Sequence, residues 1–178
     1  MISQSRYLSN LLKIFHMEDF KAAPFPFLSG IRLEEGGSTP LVDITLYRQL
    51  IGSLLYLTHL RPNISYVVSD TSRYMQNPNE LHWKATQRIL HYVQGTRDYG
   101  ILYAAGAQLD VIDFTYSDWV GDGNDRKSTL GFVFMIGSGP ICWSNKKQEA
   151  LALSSAEAVY QGAVNVSIQA VWLHGILT

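Results

Sequence analysis

Hydrophobic positions along the chain follow helical spacing before about residue 100 and short strand-like runs after it. Residues 5–16 set Tyr7, Leu8, Leu11, Leu12 and Phe15 on one face, which predicts a short amphipathic helix. Residues 21–42 hold Pro24, Pro26, Pro40, Gly30, Gly36 and Gly37, the composition of a linker or long loop. From Thr45 to Leu60 the face is Leu46, Leu50, Leu54 and Leu57; Arg61-Pro62-Asn63 ends it, and Ile64 to Met75 predicts a further helix. Asn79 is placed to cap a helix over 80–94 with Ala85, Ile89, Tyr92 and Val93 inward, and Gly95 is read as its C′ stop.

The second half changes period. Residues 101–103, 109–116, 131–136 and 140–144 are short runs rich in Ile, Val, Phe and Tyr, separated by turn chemistry at 121–125 and 137–139. A helix is predicted from Ser155 to Leu173. The fold class that follows is α+β, a helical segment and then a β-β-β-α unit.

Composition changes this picture little. With 178 residues, 47% hydrophobic and 16% charged, the chain is long and apolar enough to bury a core. A net charge of -1 offers no global argument for nucleic acid. Cys142 is the single cysteine, which rules out an internal disulfide and suggests a reducing compartment. Leu50–Leu60, the most apolar stretch, is too short to span a bilayer, and residues 1–16 lack an apolar signal core. The expectation is an intracellular chain, in cytoplasm or nucleus, without membrane contact.

Several strings resemble the copia-type retrotransposon Pol family. Leu46-Tyr47-Arg48-Gln49-Leu50-Ile51-Gly52-Ser53-Leu54, Arg61-Pro62-Asn63-Ile64, His82-Trp83-Lys84-Ala85 and Gly95-Thr96 are similar to the tail, or connection, of its reverse transcriptase. Asp118-Trp119-Val120-Gly121-Asp122, Asp125-Arg126-Lys127-Ser128-Thr129, Trp143-Ser144-Asn145-Lys146-Lys147-Gln148 and Ala152-Leu153-Ser154-Ser155-Ala156-Glu157-Ala158 are similar to the opening of its RNase H domain. The resemblance is collinear over essentially the whole chain. It implies a thumb- or connection-like helical segment at 1–104 and a truncated RNase H-like domain at 105–178.

The family's RNase H activity needs carboxylates converging on two Mg²⁺ ions, hard cations that take oxygen ligands. The resemblance puts the first ligand two residues before the Asp-Trp pair, where this chain has Tyr116, and the second before a Tyr in the helix, where it has Val159. The third would follow on a strand beyond Thr178. No Tyr-x-Asp-Asp string of a polymerase palm occurs, and the palm would precede Met1. No catalytic residue, metal site or cofactor is therefore expected.

The remaining candidates each have a plainer use. Asp118 reads as a solvated strand-end residue, and Ser154-x-x-Glu157 as a capping box rather than a metal site. The five histidines have no zinc spacing. Tyr116 and Trp119 read as strand and core residues rather than base-stacking platforms. Lys84, Arg88 and Arg97, with His91, fit weak contact with an RNA–DNA hybrid or duplex, or an ordinary solvated helix face.

The leading functional expectation is a catalytically inactive Pol fragment with at most residual nucleic-acid binding. One alternative is a non-enzymatic interaction protein, since some chains of this kind are secreted effectors of plant pathogens; another is a residual RNase H. Because the fold's fourth strand would lie beyond the chain, residues 109–116 are also expected to form an open edge and to self-associate.

Overall fold

The structure, a computed structural model, describes residues 1–28, 30–31, 33–36, 42–107, 110–118, 127–148 and 152–177. They divide into two compact units, Met1–Leu102 and Tyr103–Thr178.

In the first unit, helices α1 (Ser5–Ile14), α2 (Ile44–Leu57), α3 (Pro62–Ser72) and α4 (Glu80–Gly95) surround one core, and a two-residue bridge pairs β1 (Ile2–Ser3) with β2 (Gly100–Ile101). Leu8, Leu11 and Leu12 bury one stripe of α1 against Leu50, Leu54, Ile64 and Ile89. Each fully buried aliphatic side chain contributes about 1.5–3 kcal/mol. The α1 helix ends by local chemistry. His16 takes φ 54. The Met17 N–H donates to the Leu12 carbonyl at 2.8 Å and the His16 N–H to the Lys13 carbonyl at 3.1 Å, a Schellman closure with His in the left-handed position.

Asp43 opens α2 by accepting the Thr45 and Leu46 N–H groups at 2.7 and 3.2 Å. The buried face of α2 is Tyr47, Leu50, Ile51, Leu54 and Leu57, and Leu46 stands exposed, contrary to the simple every-fourth-residue stripe. Tyr47 is fully buried and its phenol donates to the Thr71 carbonyl at 2.8 Å; burial pushes its acidity far below that of a free phenol. Pro62 opens α3 at a first-turn position, where its missing N–H costs nothing.

Asn79 caps α4 as expected, in a reciprocal capping box with His82. The predicted C′ role of Gly95 is corrected. Gly95 is the last helical residue, and a Cβ there would lie 2.7 Å from the Ala22 Cβ. Close passage of the 18–25 loop, rather than a left-handed turn, explains the glycine.

In the second unit, β3 (Val111–Asp118), β4 (Thr129–Ile136) and β5 (Gly139–Lys147) form an antiparallel sheet in that order, followed by α5 (Ser155–Leu177). The expected strand at 101–103 is not part of it; only Gly100 and Ile101 are extended, and they pair with β1. Gly137, at φ 57, makes the β4–β5 turn. Alternation sorts the sheet into two faces. Leu130, Phe132 and Phe134 of β4 face α5, where Phe134 packs with Val166 and Leu173. Gly131, Val133 and Met135 turn the other way. Ser154 and Glu157 do cap α5: the Ser154 hydroxyl accepts the Glu157 N–H at 3.1 Å, and the carboxylate takes the Leu153 N–H at 2.7 Å.

Candidate functional site

The second unit holds every position that the sequence marks for metal chemistry, and cross-strand register fixes where the strand positions stand. Tyr116 pairs with Gly131, and Gly131 with Asn145. Directly opposed residues share a face, so Tyr116 lies on the side of Gly131 and Asn145, away from the side of Phe134 that α5 covers. Its side chain is 66% exposed, which corrects the reading of Tyr116 as a core residue. Trp119 lies outside the described residues.

Val159 sits one turn into α5, 57% exposed. The helix packs on the Phe134 side, so the two positions expected to share a metal site are on opposite sides of the sheet. Asp118 closes β3, paired with Thr129 and, through it, Lys147. Glu157 is held by its cap and by a 3.3 Å contact from Gln161. Among the described residues, no three His, Cys, Asp or Glu side chains gather closely enough to hold a metal ion.

A cleft of about 690 Å³ runs between α5 and the sheet, lined by Leu130, Phe132, Lys146, Tyr160, Val164 and Gln169 among others. Below it, Gln169 donates to the Cys142 thiol at 3.7 Å, and burial raises the thiol's pKa, so Cys142 is a poor nucleophile.

The three cations proposed for phosphate contact have internal partners. Lys84 pairs with Glu80 at 2.8 Å. Arg88 donates to the Phe25 carbonyl at 3.0 Å and Arg97 to the Glu18 carbonyl at 3.2 Å. His91 and Gln94 hold the carbonyls of Lys21 and Glu18 in the same way. Arg88, His91 and Gln94 on α4, with Arg97 just past its end, tie down the 18–25 loop, a task that sequence spacing does not reveal because the acceptors are backbone atoms 60 to 80 positions away.

The order of elements, helices and then a β-β-β-α unit, is that of an α+β chain whose second part has the opening topology of an RNase H-like fold. No protein-family profile and no solved structure matches the chain. It is 39% identical, over 99% of its length, to the retrovirus-related Pol polyprotein from transposon RE2 of Arabidopsis thaliana, of which it covers 12%. It is 33% identical to an uncharacterized mitochondrial protein of Arabidopsis thaliana, over 96% of this chain and 71% of that one. It is 34% identical to the secreted RxLR effector protein 161 of Plasmopara viticola, over 71% of this chain and 90% of that one. The chain belongs to the copia-type retrotransposon Pol family. It spans about an eighth of the length of the Pol polyproteins it matches. Among the described residues, no helix is long and apolar enough to cross a membrane.

Proposed function

We propose that this retrotransposon-derived Pol chain cleaves no RNA–DNA hybrid and acts without a catalytic metal. The observation that carries the reading is the pair Tyr116 and Val159. The resemblance assigns metal carboxylates to both, and here one is a phenol and the other an isopropyl group on opposite sides of the sheet. This donor set does not fit Mg²⁺, which requires several oxygen ligands in near-octahedral geometry. Asp118 and Glu157 do not replace it: one is a strand-end residue and the other is committed to a helix cap. The purified chain is expected to leave a labelled RNA–DNA hybrid intact in Mg²⁺. Cleavage that vanishes with EDTA and with Asp118→Asn would overturn the reading.

The effector relative supports a second reading, because this chain covers 90% of that protein. In that case the chain is a non-enzymatic interaction protein. Recovery of the tagged chain from the medium rather than from the cells that make it would favour this reading.

A further inference from the structure

β3 is an outer strand of its sheet: β4 pairs with one side of it, and among the described residues no strand pairs with the other. The Gly137 N–H donates to the Asp110 carbonyl at 3.4 Å, and the β3–β4 register runs on from there without a break. Backbone groups alternate sides along an antiparallel strand, so those of Ile112, Phe114 and Tyr116 point toward β4. Those of Val111, Asp113, Thr115 and Ser117 point out of the sheet edge. Every residue from Val111 to Tyr116 is exposed, Ile112 at 50%, Phe114 at 61% and Tyr116 at 66%.

A row of outward N–H and C=O groups templates pairing with another strand unless the edge is blunted by proline, lysine or a bulge. The opposite edge is blunted in this way, since β5 carries Pro140, Lys146 and Lys147 and its register with β4 breaks at Phe134/Met135. β3 has none of these devices, and Asp113 is the one charged residue between 111 and 117.

Such a row calls for an extended chain rather than a helix or an apolar ligand, and β3 itself fits. A two-fold axis perpendicular to the sheet pairs β3 antiparallel with its copy, and the two faces match only where the axis passes between a residue and its own copy. An axis at Asp113 opposes two carboxylates, which is unfavourable. One at Thr115 leaves Ile112 without an apolar partner. One at Phe114 opposes the two Phe114 side chains, sets each Ile112 against the partner's Tyr116, and lets Asp113 meet the partner's Thr115.

We propose that the chain forms a two-fold dimer through β3, joining two three-stranded sheets into one of six strands with the Phe114 pair at its centre. Ile112, Phe114 and Tyr116 of both copies then gather in one strip on the face away from α5, so that apolar side chains exposed in one copy are covered in two. The dimer does not depend on the loss of cleavage.

Sedimentation velocity of the full chain across a micromolar dilution series tests it, and a concentration-dependent dimer is expected. Ile112→Lys puts a charge on an exposed edge position, and Thr115→Pro deletes an outward N–H while leaving the bonds to β4 in place. Each should raise the dissociation constant of the dimer by about tenfold or more, with circular dichroism unchanged. Cross-linking reads the register. The backbone groups of Phe114 point toward β4, so its pairing across the axis is a non-hydrogen-bonded one, with Cα atoms about 4.5 Å apart and within disulfide reach. In a Cys142→Ser background, Phe114→Cys should therefore cross-link under mild oxidation faster than Asp113→Cys or Thr115→Cys. A chain that stays monomeric throughout, a dimer that survives both edge variants, or failure of Phe114→Cys to outpace the other two would overturn the proposal.

Discussion

Arg61, almost wholly buried at the entry to α3, holds Thr96 at the exit of α4 with two hydrogen bonds: 3.0 Å from its Nη1 to the carbonyl and 2.6 Å from its Nη2 to the hydroxyl. Its Nε reaches the Asn63 side chain at 3.3 Å, and the guanidinium lies 5.5 Å from the Tyr99 ring centroid. Burial lowers the guanidinium pKa, and the neighbouring phenols of Tyr92 and Tyr99 pull it back. No carboxylate is among these partners, so the side chain works as a planar fork of donors.

Arg61→Lys should therefore behave as a disruptive change despite keeping the charge, because an ammonium cannot serve the Thr96 and Asn63 oxygens together. A loss of about 2 kcal/mol is expected from charge-assisted hydrogen bonds to neutral acceptors. Urea unfolding of Arg61→Lys, Thr96→Val and the double variant would check it. Additive losses would mean that the two residues do not act as a pair.

A second prediction concerns pH. The buried His82 ring stacks on Tyr74 with centroids 3.9 Å apart. Its Nδ1 accepts the Asn79 N–H at 3.1 Å, which puts the proton on Nε2, 3.1 Å from the Glu34 carbonyl. Burial lowers its pKa, only partly countered by the bond to Glu34. A pKa below the unfolded value means that the unfolded chain binds the proton more readily. The stabilisation is complete above the unfolded pKa of about 6.5 and is lost as pH falls through the folded value. Protonation would also place a donor on Nδ1 against the Asn79 N–H. Melting temperature should fall on acidification below about pH 6.5, and His82→Gln should flatten that part of the profile. An equally steep profile in the variant would assign the acid sensitivity elsewhere.

The helices were legible because their signals are local. The stripe of Leu8, Leu11 and Leu12 and the cap at Asn79 lie within single turns, and both stand where the spacing puts them. Strand existence was legible too: β3 runs over Val111–Asp118, two residues past the expected end at 116, while Leu109 lies outside the described residues. What spacing could not show was which face each strand residue takes. Spacing puts Tyr116 in a strand without saying which way it faces, and its pairing with Gly131 turns it away from the α5 side. The tasks of Arg88 and Arg97 were hidden for another reason, since a carbonyl acceptor leaves no mark in sequence. The family itself was legible in the motif strings, which carry ancestry independently of whether the chemistry survives.

The left-handed residue at the end of α1 gives a third prediction. His16 has φ 54, a conformation that costs a side-chain-bearing L-residue about 1–2 kcal/mol and glycine little. Its backbone N–H and that of Met17 make the closing bonds, and a glycine retains both. His16→Gly should raise stability by up to about 1 kcal/mol, part of the gain being offset by the greater freedom of glycine when unfolded. His16→Val should lower it, because branching at Cβ is least tolerated at positive φ. A thermal melt of the two variants that ranked valine above glycine would contradict the Schellman reading.

The last prediction tests whether the lost chemistry could be restored by two residues. If Tyr116 and Val159 were neighbours in a decayed site, Tyr116→Asp with Val159→Glu would return two carboxylates to one place, and weak Mg²⁺-dependent cleavage could follow. The register argues otherwise. Tyr116 shares its face with Gly131 and Asn145, while Val159 rides on the helix that covers Phe134 from the other side. Two carboxylates separated by a sheet cannot bridge metal ions that need to lie about 4 Å apart. The double variant is therefore expected to leave the RNA–DNA hybrid as intact as the parent chain does. Isothermal titration with Mg²⁺ should show no new site, and each substitution alone should alter stability only modestly because both positions are exposed. Restored cleavage, or a Mg²⁺ site present in the double variant and absent from either single one, would mean that the strand and helix bring these positions together on one side.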